Sequence, residues 1–365
     1  MPVWMAARCE SAQGRRGYAS VVAAVPNPPF LQHLRDIAAG TKRLPDTLAR
    51  NQHYVPSFLL ARWATPQTRE CKLFALTVAS GEVAQRKPGE VALQKDLYTL
   101  DKHEKSVNLV IEAFLSVIEG YAADPIKRLG AVPAAISDDD RATIAFFIAL
   151  QQGRTPTGLA QHRQVAHAAA EAQLHAFFRD KQRVAARYRE TTNANATDDE
   201  IRAWAIEQIK AFKQGRRTIE LPDEAPFQAL LMSVSGVAAA VAQMDWTLLV
   251  GRSELVTSDR GLAMWDAHLP ASRGNAWESS PAAEATVPIA PSACLKLTPG
   301  TGGFAVEEAD AATVQALNKR TYGWAEQALF GTSDRAVRAV HHAAMTDPAT
   351  VPLPRVPIIH KMRAT

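Results

Sequence analysis

The hydrophobic period of the chain changes twice, and the order of these changes limits the fold more than any other feature. Residues 72–78 are rich in strand formers and end at the turn pair Ser80-Gly81, which predicts a hairpin with residues 82–85. From residue 106 to about residue 123 the apolar residues recur at i, i+3 and i+4, which predicts an amphipathic helix. Strand patterns return at residues 245–250. Strands, then helices, then strands again predict an α+β fold with mixed or antiparallel strands.

Polar residues mark the predicted starts and ends of the other elements. Ser137 precedes three aspartates, a favourable N-cap and first turn, and the helix that starts there is predicted to break near Gly153 and Pro156. Further helices are predicted over about 157–189, 197–213 and 226–243, and a C-terminal helix over about 310–330. Short strands are predicted at 96–100, 285–289, 294–297 and 304–307, and a hairpin at 245–250 and 254–257.

These elements predict three parts of the chain. Residues 1–50 are predicted to be a flexible N-terminal extension, because Pro26 and its neighbours precede the first regular patterns, with a short helix over residues 32–39 before Gly40. An alternative is a twin-arginine export signal at Arg15-Arg16, but the apolar run behind it is short and Glu10 lies in the region that should be basic. Residues 51–332 are predicted to form a single α+β domain with a helical insertion at about 157–215, and residues 333–365 a C-terminal tail.

The composition is that of an ordinary soluble globular protein, with 47% hydrophobic and 21% charged residues. No run of about 18 apolar residues occurs, so no membrane span is predicted. The net charge of +4 is small for this length, so it is weak support for a polyanionic partner. Cys9, Cys71 and Cys294 lie far apart and form no CxxC pair, which favours the reducing cytoplasm.

The candidate site residues lie in three short motifs, at 53–56, 151–156 and 257–259. His53 titrates near neutrality and is a candidate general acid or base, or a histidine that only holds the fold together by hydrogen bonds. Arg154 is a candidate clamp for a phosphate or carboxylate, or a buried partner of Asp259 or of a helix carboxylate. Asp259 ends a strand and could orient His53, bind a metal or cap a turn. Secondary candidates, as substrate-binding residues, are Gln151, Arg62 and Ser258.

The three motifs resemble those of a bacterial family catalogued as domain of unknown function 4238. The resemblance covers roughly residues 50–332 and includes Tyr98, Glu112, Glu119, Trp246, the 288–291 segment and Asn318. Two positions depart from the pattern: Ser57 stands where a glutamine is expected, and Arg260-Gly261 replaces a usual Asn/Asp-Pro pair. The family implies an architecture and a candidate site, but no reaction.

Two functions from different classes follow from these residues. The first is a phosphodiester hydrolase of the nuclease kind, with His53, Arg154 and Asp259 as catalytic residues and nucleic acid or a nucleotide as its partner. The second is a non-catalytic interaction module, in a phage-defence or toxin system, in which the same residues form a structural network. No residue is assigned as a metal ligand, a divalent metal stays open as cofactor, and the oligomeric state is not predicted.

Overall fold

The computed structural model describes residues 30–38, 51–98, 105–131, 135–266 and 283–347, with the backbone alone for 37–38 and 105–110. The chain divides into two compact units: one comprises Met1–Gly158 together with Leu230–Thr365, and the other is Leu159–Ala229. The helices in chain order are α1 (Phe30–Ala38), α2 (Ser57–Leu60), α3 (Lys105–Leu129), α4 (Asp138–Arg154), α5 (Pro156–Arg179), α6 (Lys181–Thr191), α7 (Asp198–Lys213), α8 (Ala225–Gln243), α9 (Ala311–Trp324) and α10 (Asp334–Thr346).

Three sheets belong to the first unit. The strands are β1 (Asn51–His53), β2 (Leu73–Thr77), β3 (Val83–Arg86), β4 (Leu93–Lys95), β5 (Asp245–Gly251), β6 (Thr257–Ser258), β7 (Ala263–Asp266), β8 (Ala283–Ala290), β9 (Ala293–Thr298), β10 (Phe304–Ala309) and β11 (Ala328–Gly331). The sheet orders are β1-β4, β10-β5-β9-β8-β7 and β3-β2-β11-β6. Only the β10–β5 pair is parallel among the described strands. The predicted α+β class with mixed and antiparallel strands is confirmed.

Several local predictions are confirmed because their signals are complete within a few residues. Ser137 caps α4 by accepting the N–H of Asp140 at 3.1 Å, and the helix ends at Arg154 before Pro156. Strands β2 and β3 form the predicted hairpin. Strands β8 and β9 pair next to each other, with a register shift between Pro288 and Ala290.

Other predictions near the end of the chain are wrong. The 245–257 hairpin does not form, because β5 pairs with β9 and β10 while β6 joins β11 in another sheet. The helix predicted over 310–330 ends at Trp324, and β11 follows it. Residues 334–346, predicted as tail, form α10, which Ser333 caps and which buries Val337 fully. Apolar residues recur every three to four positions along α10, and the face that they form packs on the β2–β11 sheet.

The short helix predicted at residues 32–39 is confirmed as α1, and it is packed although the region was predicted to be flexible. Phe30 at the start of α1 is fully buried and stacks edge-on against Phe146 of α4, with ring centroids 4.8 Å apart. Residues 96–98 of the strand predicted at 96–100 form a turn after β4, since Asp96 has a positive φ of 54° that ends the extended backbone, and residues 99–100 lie outside the described residues. Residues 1–29, including the Arg15-Arg16 alternative, and 348–365 lie outside the described residues.

The second unit is helical. The helix predicted as continuous over 157–189 is split, because the Asp180 side chain accepts the N–H groups of Gln182 and Arg183 and starts a new helix, α6. Val184, Ala196 and Ile201 form its apolar core. A capping box of Thr197 and Glu200 begins α7.

Among the described residues, helix α8 is long enough and apolar enough to cross a membrane, judged by length and composition alone. It is partly buried within the protein, and buried helices of soluble proteins meet the same measures.

Candidate functional site

The 53–56 motif is held between β4 and two helices. His53 ends β1, where it pairs with Leu93 of β4, and the following N–H of Tyr54 donates to the carbonyl of Ala92 at 2.9 Å. Pro56 fixes the turn into α2. Further along the segment, the indole of Trp63 donates to the carbonyl of Leu255 at 2.8 Å, which ties the motif to the strand that carries the 257–259 motif.

Arg154 is the centre of a buried polar cluster. Its Nη2 donates to the backbone carbonyl of His53 at 2.6 Å and forms an ion pair with Glu119 of α3 at 2.7 Å. Its Nε donates to the hydroxyl of Tyr98 at 3.4 Å, and that hydroxyl donates to the Arg154 carbonyl at 2.9 Å. The guanidinium is only 1% exposed. Arg154 therefore joins β1, α3 and α4 from within the protein.

The charge state of Arg154 follows from this environment. Burial alone would lower the pKa of the guanidinium, but Tyr98 and Glu119 outweigh it, so the pKa is raised. Burial also raises the pKa of the Tyr98 hydroxyl, so Tyr98 is a neutral phenol near neutral pH. Glu119 is thus the anion that balances Arg154, and the predicted alternative of a helix carboxylate describes this contact.

Gln151 lies one helical turn before Arg154 and binds the carbonyl of Tyr54, next to the His53 carbonyl that Arg154 binds. Its Nε2 donates to the carbonyl of Tyr54 at 2.8 Å and to that of Arg260 at 3.3 Å. Gln151 and Arg154 thus hold two consecutive carbonyls of the 53–56 motif, and Gln151 also connects that motif to the residue after Asp259. The three sequence motifs meet at this side chain.

Asp259 contacts a different part of the fold. Its carboxylate accepts the backbone N–H groups of residues 326–328 at 2.8, 2.7 and 3.3 Å and so holds the connection from α9 into β11. Ser258 is buried, and its hydroxyl accepts the N–H of Arg260 at 3.3 Å. Arg260 in turn pairs with Glu326 at 2.6 Å. The described contacts of Asp259 and Ser258 include neither His53 nor Arg154.

Arg62 also lies apart from the cluster. Its guanidinium occupies the space that a side chain at Gly130, just after α3, would fill. Burial lowers its pKa. Among the residues that the structure describes, no carboxylate forms an ion pair with it.

The imidazole of His53 has a ring nitrogen without a partner among the residues that the structure describes. This nitrogen, Nε2, is buried, and the Gly89 backbone acts on the ring through a hydrogen bond. In a neutral imidazole one nitrogen carries the proton and the other can accept one.

The electrostatics around His53 favour its neutral form. Burial is the main cause that lowers its pKa, and the charges of Arg154 and Arg69 lower it further. The Gly89 hydrogen bond and the charge of Glu119 act in the opposite direction without reversing the shift. At neutral pH the ring is therefore a free base.

Two glutamates of α3, which were not predicted as site residues, contact the candidate residues or their neighbours. Glu119 pairs with Arg154, and Glu112, two turns earlier, accepts from Nε2 of Gln52 at 2.6 Å. The Oε1 of Gln52 accepts the N–H of Tyr98 at 2.5 Å. The spacing of the two glutamates on one helix face was the available signal. Arg69 had none, because it lies in the exposed segment between α2 and β2.

Unpartnered buried polar atoms are concentrated on the candidate residues. Seven side chains in the described part of the chain carry such an atom, and four belong to the candidate set: His53, Arg62, Gln151 and Arg154. Buried polar groups in proteins are normally paired, so this concentration distinguishes the candidate residues from the rest of the described chain. The described residues contain no cluster of three or more His, Cys, Asp or Glu with metal-binding spacing. A groove between α9 and α10 contains none of the candidate residues.

The arrangement defines an α+β protein in which Arg154 and Gln151 bind the 53–56 motif, and Gln151 also binds the residue that follows the 257–259 motif. The chain belongs to the family described as protein of unknown function (DUF4238), whose model matches residues 51–335. No curated protein and no solved structure matches the chain.

The burial of Asp259 predicts a pH-dependent stability. Burial raises the pKa of Asp259 to about 6. The hydrogen bonds from the backbone of residues 326–328 lower this pKa, but their effect is smaller than that of burial. In the unfolded chain the pKa is about 3.9, so the folded state holds the proton more tightly between these values and stability falls as pH rises through about 4 to 6.

The Asp259→Asn variant is expected to lose that decline, which amounts to about 2–3 kcal/mol in the free energy of unfolding. Urea denaturation at several pH values between 4 and 7 measures it for both proteins. The variant must show the flatter profile; parallel profiles would contradict the assignment to Asp259.

Proposed function

We propose that the protein is a phosphodiester hydrolase that acts on nucleic acid or a nucleotide, with His53 as the residue that transfers the proton. The observation that carries the proposal is the unpartnered Nε2 of His53, in an imidazole whose burial lowers its pKa and keeps the ring neutral. A positioned base with a pKa near or below neutrality is what abstraction of a proton from an attacking water requires.

The charges around His53 favour an anionic substrate. Arg154 and Arg69 both act on the His53 ring, and Arg69 is exposed while Arg154 is buried. A phosphodiester that approaches His53 would meet the Arg69 guanidinium from the solvent side. Cationic groups that lie next to a phosphoryl centre stabilise the charge that develops in the transition state.

The roles of Arg154 and Asp259 change in this proposal. Both side chains are buried and bind protein groups, Arg154 the carbonyl of His53 and Asp259 the backbone of residues 326–328. We assign them as positioning residues, together with Gln151 and Ser258. We assign His53 and Arg69 as the residues that contact the substrate.

The proposal is tested with the full chain and four substrates: single-stranded DNA, double-stranded DNA, RNA and bis(p-nitrophenyl) phosphate. Each is incubated with EDTA, with Mg²⁺ or with Mn²⁺, since a divalent metal stays open as cofactor. Hydrolysis of at least one substrate is expected, and it should disappear in the His53→Ala variant. Wild-type protein that cleaves none of them under any of the three conditions would overturn the proposal.

A second candidate is the non-catalytic interaction module, in a phage-defence or toxin system. It is favoured by the same burial of Arg154 and Asp259, because a network of this kind holds segments together without a substrate. It predicts no turnover in the assay above. It also predicts that His53→Ala changes stability or partner binding alone.

We further propose that the protein acts in the cytoplasm. Cys71 and Cys294 are both free thiols, and burial raises the pKa of Cys294 to about 12, so that thiol stays reduced and unreactive. Fractionation of expressing cells should recover the full chain in the cytosolic fraction. Recovery from washed membranes would contradict this placement.

A further inference from the structure

One nitrogen of Arg154 connects Glu119 to the His53 backbone. Its Nη2 lies 2.7 Å from Oε1 of Glu119 and 2.6 Å from the carbonyl oxygen of His53. The carboxylate of α3 and the end of β1 are thus fixed against each other through one buried group. Because the guanidinium is 1% exposed, water competes little for either contact.

Within this ion pair, Glu119 is the side chain that reaches the surface. It is 26% exposed, whereas its partner is closed off from solvent. The Glu119 carboxylate therefore lies at the border between the buried cluster and the solvent, as does the half-buried His53. Asp259 differs, because its carboxylate is buried and bound by the backbone before β11.

We propose that Glu119, rather than Asp259, is the carboxylate that positions His53 and stabilises its protonated form during hydrolysis. This rests on the proposed function. Glu119 acts on His53 across the Arg154 nitrogen and through space, so it is a positioning residue. It takes the place in the site that sequence reasoning gave to Asp259.

The charged groups that face His53 agree with this assignment. The charges that act on the ring most strongly are Glu119 from α3, Arg154 from α4 and Arg69 from the segment before β2. Glu119 is the only anion in this set, and it raises the pKa of the ring. The charge of Asp259 acts instead on Tyr54. The pKa of the Tyr54 hydroxyl is raised mainly by burial and secondly by Asp259.

The chemistry gives that anion a role in the proton transfer. An attacking water loses a proton to Nε2 of His53 while its oxygen bonds to phosphorus, and the bond from phosphorus to the leaving oxygen breaks. The leaving alkoxide takes a proton from solvent. His53 becomes an imidazolium between two arginines at this point, and Glu119 supplies the balancing negative charge.

The test is the His53 pKa, measured by NMR on the full chain with labelled histidine and assigned with the His53→Ala variant. Glu119→Gln is expected to lower that pKa by on the order of one pH unit, because an opposite charge is removed. Glu112→Gln is the matched control: it lies on the same helix, binds Gln52 and does not face His53. Glu112→Gln and Asp259→Asn should leave the His53 pKa unchanged.

An unchanged pKa in folded Glu119→Gln, or an equal shift in Asp259→Asn, would overturn the inference. If Glu119→Gln does not fold, Glu119→Asp replaces it; this variant withdraws the carboxylate by one methylene and should lower the pKa by a smaller amount, and no change would again overturn it. The titration needs no turnover. If Glu119→Gln lowers the His53 pKa but the wild-type protein hydrolyses no substrate, the proposed function is contradicted. If the wild-type protein hydrolyses a substrate but Glu119→Gln leaves the His53 pKa unchanged, this inference alone is contradicted.

Discussion

Replacing His53 by alanine is expected to lower kcat/KM for phosphodiester hydrolysis by about 10²–10⁴-fold, the usual contribution of a general base. The loss should occur in a protein of nearly unchanged stability. The reason is that Arg154 binds the backbone carbonyl of His53 and β4 pairs with its backbone, and alanine keeps both. Only the imidazole and its bond to the Gly89 backbone are removed.

The pH profile adds a second readout for the same residue. A base is active when neutral, so the wild-type rate should rise with pH through the lowered pKa of His53 and become level above its ordinary value of about 6.5. Steady-state kinetics and thermal denaturation on His53→Ala and on the control His167→Ala, an exposed helix histidine, separate the possibilities. Equal turnover in both variants would exclude His53 as the base. A large loss of stability with turnover intact would favour the interaction module.

The parts of the fold that the sequence predicted correctly are those whose causes are local. Ser137 and the aspartates after it specify the start of α4 without help from the rest of the chain. The 245–257 hairpin failed because its causes are distant. The side chain of Asn318 on α9 accepts the N–H of Val256 and donates to the carbonyl of Glu254, and this segment therefore turns away from β5.

The candidate site divides in the same way. A histidine, an arginine and an aspartate can be selected by residue type, and the structure does bring the 53–56 and 151–156 motifs together through Arg154 and Gln151. Which carboxylate faces His53 depends on the docking of α3, which lies far from both motifs in sequence. Nothing local distinguishes Glu119, which pairs with Arg154, from Glu112, which pairs with Gln52.

Replacing Arg154 by methionine is expected to destabilise the protein by about 3–5 kcal/mol, the cost of removing one partner from a buried ion pair. Methionine keeps a long, helix-compatible side chain, so the loss measures the polar contacts and little else. The carboxylate of Glu119 would lose its cation, and the His53 carbonyl would lose the donor at 2.6 Å. The His53 carbonyl then stays in the buried cluster, while the Glu119 carboxylate keeps partial access to water.

Arg128→Met is the matched control, since Arg128 also pairs with one acid, Asp140 at 2.7 Å, but is 59% exposed. An exposed pair contributes less than about 1 kcal/mol, so the two arginine variants should separate clearly in urea denaturation midpoints. The double variant Arg154→Met/Glu119→Gln is expected to recover part of the loss, because the unpaired carboxylate is then neutral. Equal midpoints for Arg154→Met and Arg128→Met would mean that Arg154 does not hold β1, α3 and α4 together, and His53 would then have to be positioned by the Gly89 backbone and the β1–β4 pairing alone.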